Sequence, residues 1–193
     1  MAEATSSIEF AGLDLLTAPG VVMTPRPASR RLVECVLRFV GERRVVVVDV
    51  GTGSGAIAIA VARSAPQAEI WATDVSADAV ELARVNAARC GVAVRVRRGH
   101  LLDPVPGPID VIVANLPYLP YSERARHPDL ETEPADSVFA PGDGLDLYRR
   151  LLVAATDRLS TGGLLVVQLR GELLAASVDE LELLDPVFAE RAA

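Results

Sequence analysis

From about residue 28 onward, short β-branched runs alternate with segments whose apolar residues recur every three or four positions. A first helix is expected after Pro27, since proline is tolerated at a helix start. It would set Leu32, Val33, Val36 and Leu37 on one face and turn Arg30, Arg31 and Arg38 outward. Val45-Val46-Val47-Val48 is a continuous apolar run, the pattern of a strand buried on both faces. A small-residue helix from Ala56 to about Arg63 is closed by Pro66. Glu69–Thr73 predicts a second strand. Ser76 is a good N-cap, with Asp78 in the first turn, for a helix that runs to Cys90 and stops at Gly91. Val92, Val94 and Val96 alternate with Arg95 and Arg97, which predicts a third strand that has one wetter face or lies near an edge. Ile109–Ala114 reads as the fourth. A helix around Leu145–Leu159 presents Tyr148, Leu151, Leu152 and Ala155 inward. Gly162-Gly163 is expected to turn into a strand at Leu164–Leu169, and a last helix near Leu173–Leu184.

This alternation predicts an α/β fold: a Rossmann-like, doubly wound, mostly parallel sheet with helices on both faces and right-handed crossovers. Such sheets bind ligands at the carboxyl ends of their strands. Residues 1–27 are expected as an extension or loop and 28–193 as a single domain. Residues 118–143 are rich in proline and acid, and a loop of that length inside a compact domain is functional or disordered.

With 193 residues, 50% of them apolar, the chain can bury a substantial core, and disorder is excluded. The net charge is −7, and all 19 basic residues are arginine. Apart from Arg95, Arg97 and Arg98 there is no basic cluster, which disfavours a nucleic-acid partner held through phosphates. Cys35 and Cys90, outside any CxxC spacing, exclude a disulfide framework or a cysteine zinc site and point to buried helix positions in a reducing compartment. Met1–Phe10 carries Glu3 and no basic patch, unlike a secretory signal, and the apolar runs are too short for a bilayer. A cytoplasmic protein with no membrane partner is expected.

The candidate chemistry begins where the first buried strand ends. Asp49 closes that strand, and Gly51-Thr52-Gly53-Ser54-Gly55 leads directly into a helix. Glycines let the backbone turn tightly and let a ligand lie against it. Asp74 stands 19 residues beyond Gly55, at the end of the next strand, where a carboxylate can accept two ribose hydroxyls. The loop alone does not choose the cofactor: Gly51, Gly53 and Ala56 also satisfy the G-x-G-x-x-A form of the NAD fingerprint. At the end of the fourth strand comes Asn115-Leu116-Pro117-Tyr118. Asn115 Oδ1 and the Leu116 carbonyl can accept the two N–H bonds of an NH₂ group and so orient a weakly nucleophilic nitrogen. Pro117 stiffens the turn, and Tyr118 can pack on the planar group.

With Pro25-Arg26-Pro27, Asp49–Gly55, Asp74, Asn115–Tyr118, Glu133-Pro134 and Gly142–Arg149, the chain resembles the class I S-adenosylmethionine-dependent methyltransferases. Within them it resembles the HemK/PrmC type, which methylates a glutamine amide of peptide-chain release factors. The resemblance implies the class I fold, S-adenosyl-L-methionine as cofactor and a release factor as protein partner. It implies cofactor contacts from Asp49, Gly51, Thr52, Gly53, Ser54, Gly55, Asp74, Val75, His100, Leu101 and Asn115, and catalysis at Asn115, Leu116, Pro117 and Tyr118.

The chain departs from that family at four places. Leu116 replaces the first proline of Asn-Pro-Pro-Tyr, and His100 stands where an acidic residue is usual. Gln168 and Arg170 replace a glutamate and a glycine. With about 27 residues before the first helix, the family's N-terminal helical domain is expected to be absent, and in the short tail after Leu184 its final hairpin strand is expected to be reduced or missing. Three other readings stand beside the leading one. A nucleic-acid base or a small-molecule amine can be the methyl acceptor. His100, Leu116 and Arg170 fit a non-catalytic partner subunit. An NAD-dependent oxidoreductase lacks a Tyr-x-x-x-Lys pair, since lysine is absent. Glu123, His127, Glu131 and Glu133 are spaced too irregularly for a metal site, and none is expected.

Overall fold

The computed structural model describes residues 6–170, 172–177 and 180–181. The stretch 1–27, expected as an extension or loop, carries an antiparallel hairpin instead, β1 (Ser6–Phe10) and β2 (Leu13–Thr17). Ala11 and Gly12 turn between the strands with φ of 50° and 77°, the double positive-φ turn that matches strand twist. The hairpin exists because Phe10 and Leu15 bury themselves in the main core.

A 3-10 turn at Pro27–Ser29 leads into α1 (Arg30–Val40), which buries Leu32, Val33, Val36 and Val40. Leu37 is only half-buried. There follow β3 (Val46–Val50), α2 (Ala56–Ser64), β4 (Glu69–Asp74) and α3 (Ala77–Arg89), whose cap Ser76 accepts the Ala79 N–H. Then come β5 (Arg95–Arg98) and β6 (Ile109–Ala114). The stretch 118–143 is built of short pieces. β7 (Leu119–Pro120) pairs with β8 (Phe139–Ala140), and 3-10 turns and the single turn α4 (Ala135–Val138) lie between them. Leu119, Val138 and Phe139 bury one another there. The chain closes with α5 (Asp146–Arg158), β9 (Leu159–Leu169) and β10 (Glu172–Ser177).

The main sheet has the order β10-β9-β6-β3-β4-β5. Every pairing is parallel except β10 against β9. This is the doubly wound α/β class. Along the central strands Val47, Val111 and Val166 pack toward α1 and α2, while Val48, Ile112 and Leu165 pack toward Tyr148, Leu151, Leu152 and Ala155 of α5. No helix among the described residues is long and apolar enough to cross a membrane.

Three expectations are corrected. The third strand is an edge strand as expected, but only Arg95–Arg98 pair, leaving Val92 and Val94 ahead of it. Gly162 and Gly163 lie within β9, where the register against β6 slips between Ile109 and Val111; glycine in a strand often marks such an irregularity. The helix expected near Leu173–Leu184 is a strand over its first part, Glu172↔Leu169 to Ser177↔Leu164. A short apolar run has no period that tells helix from strand, and the open edge of β9 decides the matter. The final hairpin strand, expected to be reduced or missing in the tail after Leu184, falls outside the described residues. Residues 178–179 and 182–184 of the expected helix lie outside the described residues.

Candidate active site

The crossover direction reverses between β3 and β6, and their carboxyl ends open the crevice where doubly wound sheets hold ligands. The loop after β3 lines it. Gly51, Gly53 and Gly55 have φ of 70°, 56° and 85°, a region open to glycine at little cost. A Cβ at Gly51 would stand 2.6 Å from Leu116 Cδ2, so the absence of a side chain lets the Leu116 turn close over the loop.

Asp49 lies beneath the loop, 1% exposed. Its Oδ2 accepts from Thr52 Oγ1 at 2.6 Å and from the Ala58 N–H at 3.2 Å. Its Oδ1 is buried with no hydrogen-bond partner among the described residues. Burial raises this carboxyl from its ordinary 3.8 to about 6, against the pull of the Thr52 and Ala58 bonds and with some help from Asp74. Asp74, at the end of β4, uses Oδ2 for the Gly53 N–H and Oδ1 for the Ser76 N–H, both at 2.9 Å. A carboxylate has about four lone-pair positions, so both oxygens can still accept from a ligand.

A cavity of about 440 Å³ runs across these strand ends. It brings together Gly51, Gly53, Asp74, Val75, His100 and Leu101, and reaches Asn115, Leu116 and Pro117. Thr73 Oγ1 donates to the Leu101 carbonyl at 2.8 Å, fixing the wall that Leu101 forms. Val75 is 59% exposed, an apolar surface left open on this wall. Of the remaining expected contacts, Thr52 turns inward to Asp49, and Ser54 is buried with its carbonyl accepting from Asn86. Gly55 is packed against Ile59 and Ala83. These three shape the loop without lining the large cavity.

A second cavity, also about 440 Å³, lies beyond the end of β6 and includes Tyr118, His127, Gln168 and Arg170. Met23, Asn115, Leu116, Pro117 and Ser137 line both cavities. Asn115, Leu116 and Pro117 therefore form the shared wall, and Tyr118 faces the second cavity alone. Asn115 Nδ2 donates to Ser29 Oγ at 3.2 Å, which leaves Oδ1 for another donor. Leu116 N–H donates to the Tyr148 hydroxyl at 3.0 Å. Burial pushes the Tyr118 phenol up, so it is neutral throughout the ordinary pH range.

Sequence reasoning missed Ser29, Tyr148 as a polar group, and the outer wall formed by Val21, Val22 and Met23. No local motif marks these residues, since each acts on positions far away in the chain. That outer wall is tied to 118–143 by Glu133, which accepts from the Thr24 N–H at 3.0 Å and pairs with Arg26 at 3.5 Å. Glu123 pairs with Arg170 at 3.4 Å and lies 3.8 Å from His127. Arg170 takes φ of 46°, a left-handed conformation that costs a residue with a Cβ roughly 1–2 kcal/mol. No group of three or more metal-ligating side chains converges among the described residues.

A model of the methyltransferase small domain matches residues 13–127, more than half of the chain. The release factor glutamine methyltransferase of Deinococcus radiodurans is 40% identical over 169 residues, covering 86% of this chain and 60% of that protein. The chain thus spans about three fifths of the length of the curated relatives it matches. A methyltransferase from Pyrococcus furiosus superposes with a TM-score of 0.62 at 25% identity, over 94% of this chain and 77% of that one. An RNA methyltransferase from Salinibacter ruber, solved with S-adenosyl-L-homocysteine, gives 0.50 at 26% identity over 76% of each chain.

Proposed function

The chain belongs to the methyltransferase small-domain family, and from that premise we propose that it is an S-adenosylmethionine-dependent N-methyltransferase whose acceptor is a carboxamide, the glutamine side chain of a peptide-chain release factor. The observation that carries this reading is the shared wall: Asn115, Leu116 and Pro117 stand between two cavities of matching size. One side suits a cofactor and the other a side chain, with the transfer point between them.

The residues present fit the cofactor. Gly51, Gly53, Asp74, Val75, His100 and Leu101 line one cavity, and both Asp74 oxygens keep lone pairs for a further donor. Asp74 would take the ribose hydroxyls, Val75 and Leu101 the faces of the adenine ring, and His100 its amino group through a neutral ring nitrogen. Gly51 and Gly53 would lie against the amino-acid end, with the Asp49 charge behind them. When bound, S-adenosylmethionine supplies a sulfonium methyl group.

The chain's own residues then make a poor nucleophile reactive. An amide nitrogen shares its lone pair with the carbonyl. Asn115 Oδ1 and the Leu116 carbonyl each accept one N–H of the substrate amide, which fixes the nitrogen and aims its face at the methyl group. Transfer would break the methyl–sulfur bond, leaving a neutral thioether, as the nitrogen–carbon bond forms; the same two oxygens would stabilise the positive charge on that nitrogen until one of its protons passes to solvent. No strong base is required. Tyr118 packs on the amide plane, and Met23 and Ser137 help close the junction to water.

The test is methyl transfer from labelled S-adenosylmethionine to purified release factor, with the modified residue located by mass spectrometry. One added methyl on a glutamine amide is expected. Asn115→Ala should abolish transfer while cofactor affinity stays within a few fold; turnover in that variant overturns the role of Asn115. Methylation of a nucleic-acid base, with none on protein, would overturn the substrate.

A further inference from the structure

The Tyr148 hydroxyl makes an unusual set of contacts for a residue in the middle of a core helix. Tyr148 is 1% exposed and lies among Leu116, Leu145, Leu151 and Leu165 on the α5 side of the sheet. Its oxygen accepts the Leu116 N–H at 3.0 Å. Two carbonyl oxygens are within its own reach as a donor, Leu116 O at 2.9 Å and Gln168 O at 2.7 Å. A hydroxyl has one proton and two lone pairs. One oxygen therefore meets both polar groups of Leu116 and the end of β9.

Leu116 is the residue whose carbonyl the transfer reaction uses, and it follows the end of a strand, where the sheet no longer holds the backbone. Its N–H is available only because the residue is not proline. Fixing that N–H to Tyr148 sets the peptide plane before Leu116, and the one phenol proton is left for the Gln168 carbonyl, the nearer of the two at 2.7 Å. The Leu116 carbonyl keeps a lone pair for the substrate even when it accepts from the phenol. In the sheet register Ala114 faces Val167, so Asn115 and Gln168 follow at the ends of adjacent strands, and both line the second cavity. A buried hydroxyl between them fixes the spacing of the two strand ends.

We propose that Tyr148 is a positioning residue for methyl transfer, clamping the Asn115-Leu116-Pro117 turn through the Leu116 N–H so that the Leu116 carbonyl meets the substrate amide. The inference rests on the role given to that carbonyl under Proposed function. It assigns Tyr148 no contact with substrate or cofactor; its effect passes through the turn.

Two measurements test it. In the unaltered protein, amide hydrogen exchange at Leu116 should be slowed at least a hundredfold relative to an open amide, without any assay of activity. Exchange at the rate of an open amide overturns the clamp, whether or not the protein proves to be a methyltransferase. The second is a double-mutant cycle on kcat. Tyr148→Phe should lower kcat about tenfold, with cofactor Kd unchanged within twofold. Leu116→Pro, whatever its own turnover, removes the N–H, so adding Tyr148→Phe to it should cost less than threefold more. Equal losses in both backgrounds, or none in either, overturn the proposal. If Tyr148→Phe does not fold, the exchange experiment still decides.

Discussion

The side-chain amide of Asn115 donates to the Ser29 hydroxyl at 3.2 Å, joining the end of β6 to the turn ahead of α1. A carboxamide has one NH₂ and one oxygen, so committing the nitrogen leaves the oxygen as acceptor for a substrate N–H. The orientation on which the proposed chemistry depends is thus set by a residue 86 positions away.

Ser29→Ala frees the amide to rotate. Losing one neutral hydrogen bond of about 1 kcal/mol should lower kcat roughly fivefold. Ser29→Thr should recover most of that. Cofactor affinity, measured by calorimetry, should hold within about twofold in both. An alanine variant as fast as the parent would show that Ser29 does not set the amide.

Asp49 makes stability depend on pH. Burial raises its carboxyl from 3.8 to about 6, so the folded state binds its proton more tightly than the unfolded state. That favours folding fully below about pH 4, and the benefit is lost as pH rises through about 6. The difference of two units corresponds to about 3 kcal/mol. Asp49→Asn keeps an oxygen for Thr52 and Ala58 and carries no charge. Its melting midpoint should exceed the parent's by several degrees at pH 7.5, with the gap closing toward pH 4. A gap independent of pH would refute this account.

Asp74 serves the loop and, on the proposed reading, the ribose as well. Asp74→Ala removes the acceptor of the Gly53 and Ser76 N–H groups. With hydrogen bonds to a charged group worth roughly 1.5–3 kcal/mol, affinity for S-adenosylmethionine should fall about a hundredfold. Isothermal titration reads this directly. A loss below threefold would move the ribose elsewhere.

Gly144 holds the tetrapeptide from the other side. Its φ is 88°, and a Cβ there would overlap the Tyr118 carbonyl. Gly144→Ala should cost about 2–3 kcal/mol through strain and displacement. The midpoint should drop by roughly 4–10 °C, and turnover should fall with it. A variant with the parent's midpoint would mean that the Tyr118 turn yields freely.

Features carried by local sequence were legible in advance. Ile109–Ala114 reads as a strand because it is a buried run, and Ser76 as a cap because its hydroxyl acts three residues on. The glycine loop, Asp74 and Asn115–Tyr118 were likewise legible, each being fixed by a strand end. The hairpin at Ser6–Thr17 was not: its strands are five residues each, and their partner is a core assembled from the rest of the chain. Leu173-Leu174-Ala175-Ala176 suits a helix as well as a strand, and only the free edge of β9 decides between them. Ser29 and Tyr148 were invisible as site residues because their partners are 86 and 32 positions away.

Asn86 gives the loop a history as well as a shape. Fully buried, its side chain accepts from Leu16 N–H at 2.8 Å and donates to Leu16 O at 3.0 Å and Ser54 O at 2.9 Å. The hairpin and the glycine loop are both sewn to one amide, 70 residues downstream of Leu16. On a growing chain, neither can reach its final arrangement until α3 has emerged and wound. A fragment ending before residue 86 would therefore carry the whole glycine motif without the amide that holds the Ser54 carbonyl in place.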